Sequence, residues 1–145
     1  MASRRFLLDV NVLVALVDEA HISHKRVTSW FDASGKESWG VCPFTEAGFV
    51  RVVTNPKYTR PFTMEEALDV LREVKEHRGY RFWPVSISWD AAVAPFSERI
   101  FGHQQVTDAY MLGLAVSQDI VLVTQDKAMR VLAGPQYEKH VLVLS

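Results

Sequence analysis

Phe6-Leu7-Leu8-Asp9-Val10 is the stretch on which the fold turns. Arg4 and Arg5 precede it, no polar residue alternates with its apolar ones, and a carboxylate stands at its end. Such a run suits a strand buried on both faces, the habit of parallel sheets covered by helices. Working outward, Asn11 to about Glu19 places Val12, Leu13, Leu16 and Val17 at helical spacing. Ser23 to Ala33 does the same with Val27, Trp30 and Phe31, until Ser34-Gly35-Lys36 closes it. Trp39 to Cys42 reads as a short strand and Pro43 sits where a helix begins, so Thr45 to Val53 forms a short helix that stops before Asn55-Pro56. Thr63-Met64-Glu65-Glu66 is a capped helix start, with Ala67, Leu68, Leu71 and Val74 on one face as far as Gly79. A strand over Phe82 to Val85, a helix over Trp89 to Phe96, an irregular link from Ile100 to Gln105 and a helix over Thr107 to Ser117 follow. Ile120-Val121-Leu122-Val123-Thr124 and Val141-Leu142-Val143-Leu144 are two more apolar strands. The alternation predicts an α/β fold, a three-layer α/β/α sandwich with a mainly parallel central sheet, in one domain over residues 1–145.

The composition fits that expectation. At 145 residues, 48% of them hydrophobic and 23% charged, the chain is long and apolar enough to bury a core and too apolar for a disordered protein. Its single cysteine, Cys42, rules out an internal disulfide and a zinc site of several thiolates, and points to a reducing cytoplasm. Asp9 falls inside what would be the apolar region of a leader, and no stretch approaches the ~18 uninterrupted apolar residues of a membrane span. A net charge of −1 leaves no general basic surface for nucleic acid. A bound divalent ion would supply positive charge locally, as would Arg51, Lys57 and Arg60, which have no acid between them.

Four acids carry the candidate chemistry. In open parallel sheets functional groups gather beyond the carboxyl ends of the strands. Asp9 closes the first strand and Asp126 follows Thr124 at the end of a later one, so both come to one edge if those strands are neighbours. Glu46 and Asp108 lie near the starts of their helices but on the apolar stripe, Glu46 with Phe49, Val50 and Val53, and Asp108 with Leu112, Ala115 and Val116. A charge facing a core is costly unless it is paired, hydrogen-bonded or metal-bound. Hard oxygen donors of this kind suit Mg²⁺ or Mn²⁺. Each acid also has a structural reading. Asp9 serves equally as a helix cap through the Asn11 and Val12 amides, Asp126 as a turn residue before Lys127, and Glu46 and Asp108 as first-turn partners of a helix dipole.

Other chemistry-bearing residues point less clearly. His21 and His24 have a spacing that metal sites use, but no thiol or third histidine lies near, so an exposed helix start is the simpler reading. His103 precedes Asp108 closely enough to reach the same site, and otherwise belongs to a surface loop. Cys42, Trp30, Trp39, Trp83 and Trp89 read as core. A phospho-accepting receiver is also a small α/β domain with Mg²⁺-binding acids, but it needs an acceptor aspartate ending its third strand, and no strand near Asn55 supplies one. A non-catalytic RNA-binding module would want a basic surface and no inward-facing acids.

Phe6-Leu7-Leu8-Asp9-Val10-Asn11-Val12-Leu13, Thr45-Glu46, Thr107-Asp108-Ala109 and Val123-Thr124-Gln125-Asp126 resemble, in order and spacing, the motifs of PIN-domain nucleases, and above all the VapC toxins of bacterial toxin–antitoxin pairs. The resemblance covers nearly the whole chain, and all four acidic positions are occupied. It implies a Mg²⁺-dependent endoribonuclease, usually a homodimer, silenced by a VapB antitoxin whose tail lies across the site. It also implies the roles: Asp9 and Asp108 as direct metal ligands, Glu46 as ligand or water-orienting base, and Asp126 as an outer ligand or second-metal site. Asn11 and Thr124 are candidates to orient water or phosphate.

Overall fold

A computed structural model describes residues 4–145. Residues 1–3, the head of the stretch read above for a leader, lie outside the described residues. Among those described, five parallel strands, β1 (Phe6–Leu8), β2 (Trp39–Val41), β3 (Tyr80–Phe82), β4 (Val121–Thr124) and β5 (Val141–Val143), lie in the order β3-β2-β1-β4-β5. Helices α1 (Val10–Val17), α2 (His24–Trp30), α3 (Pro43–Val53), α4 (Met64–Val74), α5 (Trp89–Val93), α6 (Val106–Gln118) and α7 (Ala128–Tyr137) connect them. β1, β2 and β4 are buried along their whole length, which is why their sequences show no polar alternation.

The period of two still operates inside the sheet. Phe6 and Leu8 of β1, with Val121 and Val123 of β4, face a core built with Leu13, Phe49 and Trp39 on the α1 to α4 side. Leu7 and Leu122 face the opposite core, with Tyr110, Met111 and Leu114 of α6 and Leu132 of α7. Burial of Cys42, Trp39 and Trp83 agrees with their reading as core, whereas Trp30 is half-buried against it and Trp89 is 45% exposed.

Several boundaries move for physical reasons. β1 ends at Leu8 and α1 starts at Val10, because Asp9 is the extended residue that caps the helix. The third strand is Tyr80–Phe82 instead of Phe82–Val85, paired so that Trp39 lies opposite Tyr80 and Gly40 opposite Arg81. α2 ends in a wide π turn over Phe31–Gly35, and α4 stops at Val74, well short of Gly79, with Leu68 and Met64 exposed. The segment after Asp126 yields a helix, α7, that the sequence pattern conceals, because Gly134 at φ +66 and Pro135 interrupt its periodicity.

The topology locates the site. From β1 the chain steps outward to β2 and β3, then returns to pair β4 on the other flank of β1. Strand order therefore reverses between β1 and β4, and a crevice opens beyond their carboxyl ends.

Candidate active site

Leu8 pairs with Val123, so Asp9 and Thr124 emerge side by side at that crevice. Asp9 is only 6% exposed. Its Oδ1 accepts the Val10 N–H at 2.8 Å and its Oδ2 accepts the Thr124 hydroxyl at 2.7 Å. Thr124 is fully buried and acts as the hub of the edge, since its Oγ1 also accepts the Asp126 N–H at 3.1 Å. Asn11 locks the same corner: its Oδ1 accepts the Gln125 N–H at 3.1 Å, while its carbonyl accepts from Gln125 Nε2 at 3.2 Å. Asp126 in turn accepts the Ala128 N–H at 2.9 Å. Thr124 is thus sealed from solvent and Asn11 engaged with Gln125, so both hold the acids in place; contact of the Thr124 hydroxyl with water or phosphate, expected from the sequence, is not available to a buried group.

Asp108 comes from the first turn of α6. It lines a cavity of about 410 Å³ together with Asp9, Asn11 and Asp126. Arg51, His21 and Tyr58 form another part of that wall. An adjoining space, shared through Asp108, Asp126 and Gln104, carries His103 and Phe101. Burial, then the charges of Asp9 and Asp126, push the Asp108 carboxyl up to about 6. Burial also raises Asp9, against the hydrogen bonds from Thr124 and Val10, with Asp126 adding to the rise. Three acids therefore feel one another at the edge where β1 and β4 end.

Glu46 does not join them. It sits in the first turn of α3, but its carboxylate is ion-paired with Lys75 Nζ at 3.2 Å and acts on the nearby Tyr80 hydroxyl, whose pKa it helps burial to raise to about 12. The apolar stripe read from sequence is real, as Phe49 and Val53 are buried, yet the partner waiting on that side is a lysine after α4. Convergence of all four acids in one pocket, expected from the sequence, is replaced by three together and one apart. His24 is a structural residue whose Nδ1 lies 2.7 Å from the Ala15 carbonyl, and only His21 of that pair reaches the cavity. Arg51, His21 and Tyr58 carry no motif that marks them as site residues. Arg51 alone has a signal in the sequence, the basic run after it.

Among the described residues, no three carboxylate, imidazole or thiol groups form a ready-made metal cage. The donor chemistry nevertheless fits a hard cation. Asp9, Asp108 and Asp126 bring hard oxygens and mutual repulsion to one cavity, and no ion pair among the described residues neutralises them. Mg²⁺ in particular takes one or two carboxylates and completes its shell with water and substrate oxygens, so a closed protein cage is not required.

Comparison with known proteins agrees with this geometry. Residues 6–135 match the PIN domain family. Ribonuclease VapC44 of Mycobacterium tuberculosis is 40% identical over 137 residues, covering 94% of this chain and 96% of that protein. Ribonuclease VapC38 of the same organism is 43% identical over 140 residues, covering 96% and 97%. Among solved structures, VapBC2 from Rickettsia felis, bound to a DNA fragment from its promoter, shares the fold with a TM-score of 0.65 at 12% identity, over 97% of this chain and 98% of that one. FitAcB from Neisseria gonorrhoeae does so with a TM-score of 0.62 at 18% identity, over 97% and 96%. The sheet order, the acids at its switch point and these likenesses agree, and the chain belongs to the PIN-domain family, among the VapC ribonucleases.

Proposed function

We propose that this chain is an endoribonuclease toxin that hydrolyses RNA phosphodiester bonds with Mg²⁺, or Mn²⁺ in its place, and is neutralised by a cognate VapB-type antitoxin. The observation that carries the reading is Asp108, an acid pushed up to about 6 beside two others, in an open cavity and without a cation or hydrogen-bond donor on it among the described residues. A residue retained for folding would be better satisfied. RNA as substrate is supported by the names of the two relatives, both ribonucleases with about two-fifths of their residues in common with this chain.

Asp9 and Asp108 are assigned as direct ligands and Asp126 as the outer one. When held by these residues, a divalent ion would supply polarisation of the phosphoryl group, a lowered pKa for an attacking water and charge balance on the leaving oxygen. The chain's own contribution is placement. Thr124 and the Val10 N–H fix the Asp9 carboxylate in orientation, and the helix start of α6 presents Asp108 across the cavity. Arg51, on the wall of the same cavity, would receive a phosphate oxygen. Glu46, held by Lys75, stays outside the ligand set. The receiver alternative finds no support, since β3 ends at Phe82, is followed by Trp83 and offers no acceptor carboxylate. Exposed Ile22, Met64 and Leu68 fit a homodimer, which sedimentation of the purified chain would test.

The deciding assay is cleavage of a defined RNA by the purified chain with Mg²⁺, with chelator, and with Asp108→Asn. Cleavage should need the metal and fall to background in the variant. Cleavage that survives thorough chelation, or that the variant retains, would overturn the reading.

A further inference from the structure

Beside the acid cavity lies a groove of about 490 Å³ for which the chemistry above has no use. Phe101 borders both it and the space that holds Asp108 and Asp126. The side chain is 85% exposed. Its loop is nonetheless fastened, as the Phe101 N–H donates to Gln105 Oε1 at 2.7 Å and the Gln105 N–H to the Gly102 carbonyl at 3.1 Å. A large aromatic held in water by a tied loop is a surface made to be covered.

Arg99, Lys127 and Arg130 line the same groove. The Arg99 guanidinium lies flat against the kink of α7, where a Cβ on Gly134 would stand 2.6 Å from its Cζ. A larger residue there would displace the guanidinium, and glycine takes φ +66 without strain. No ion pair engages this cation, for the ion pairs among the described residues are Arg72 with Asp69 and Lys75 with Glu46. Glu98 and Glu138 also border the groove, which leaves its charge positive by one. An exposed ring next to unpaired cations is the chemistry of an unpaired nucleotide, whose base stacks on the ring while its phosphate meets a guanidinium. An acidic peptide would use the cations and leave Phe101 uncovered.

We infer that this groove is a nucleotide subsite flanking the cut, in which a base stacks on Phe101 and the adjoining phosphate rests on Arg99, Lys127 and Arg130. The inference rests on the ribonuclease reading and adds the path of the strand leaving the acids.

The test uses the intact chain and a labelled single-stranded RNA, with binding followed by anisotropy in chelator and cleavage followed in Mg²⁺. Phe101→Ala should weaken binding roughly tenfold, as expected when one base no longer stacks, and Phe101→Trp should restore it. Arg99→Met should flatten the dependence of log affinity on log salt by ~0.7 for each phosphate that is no longer neutralised. For both, KM should rise by more than kcat falls, while Arg72→Met, at a solvated pair on α4, changes neither quantity. Wild-type RNA affinity and KM in Phe101→Ala and Arg99→Met would overturn the subsite and leave the ribonuclease standing. So would variants that lose affinity for the antitoxin alone. A wild-type chain that cleaves no RNA with Mg²⁺ would remove both readings.

Discussion

Asp108 occupies the first turn of α6, where free N–H groups and the helix dipole favour negative charge, and its carboxyl is still raised from 3.8 to about 6. Burial and two acidic neighbours outweigh the helix end. Because the folded value lies above the unfolded one, the folded chain holds a proton between about pH 4 and 6 that the unfolded chain has released. The stability gained that way is complete below the unfolded value and is lost as pH rises through 6. Asp9 is shifted in the same direction, so it adds to the trend. In chelator, wild type should therefore gain on Asp108→Asn as the pH is lowered from neutral, and the gap between their melting temperatures should shrink. Melts across that range check it, and a gap indifferent to pH would mean that neither burial nor its acidic neighbours raise Asp108. A second comparison concerns Glu46. Its pairing with Lys75 predicts that Glu46→Gln keeps a measurable fraction of cleavage where Asp108→Asn keeps none; equal loss in the two would show that Glu46 leaves Lys75 to join the metal.

α5 and α6 meet so closely that a Cβ on Gly113 would stand 2.2 Å from the Ala92 carbonyl oxygen. Backbone cannot yield as a flexible side chain can, so Gly113→Ala should push α5 off α6 and cost about 1–3 kcal/mol, the usual range for overpacking. Urea unfolding would measure it, and an unchanged midpoint would mean that α5 is free to shift. The elements differ in how openly the sequence announces them. β1, β4 and β5 can be read directly, since runs such as Val121-Leu122-Val123 tolerate no polar residue when both faces are covered. β3 is displaced from its expected place because it is an edge strand whose Arg81 and Phe82 are exposed, so burial leaves no pattern there. α7 escapes the pattern because Gly134-Pro135 breaks its period just where Arg99 is seated. The site is legible in the same uneven way. Asp9 and Asp126 follow from strand ends, and Asp108 from a charge on an apolar stripe. Glu46 gives the same stripe signal, but its outcome depends on Lys75, which no local spacing connects to it.

Across the whole molecule, the sheet order brings carboxylates from the end of β1, from the start of α6 and from the turn after β4 to one crevice, so the fold concentrates negative charge that no ion pair among the described residues neutralises. Like charges held together raise the free energy of the folded state and act little on the unfolded one, where they are far apart. A cation that binds only the folded chain reverses this, stabilising it by RT ln(1 + [L]/Kd), or about 2.7 kcal/mol at a hundredfold excess over Kd. Two consequences can be separated in one set of melts. In chelator, Asp108→Asn should be at least as stable as wild type, since it removes a repelled charge and keeps a side chain of nearly the same shape. On addition of Mg²⁺, wild type should rise in melting temperature by more than the variant, because the variant has lost a ligand and binds the ion less tightly. The pair of results matters more than either alone. A variant markedly less stable in chelator would make Asp108 a structural residue of α6, whatever its cleavage assay gave. A variant equal to wild type in chelator and equally stabilised by Mg²⁺ would place the cation elsewhere on the chain and take the ligand role away from Asp108.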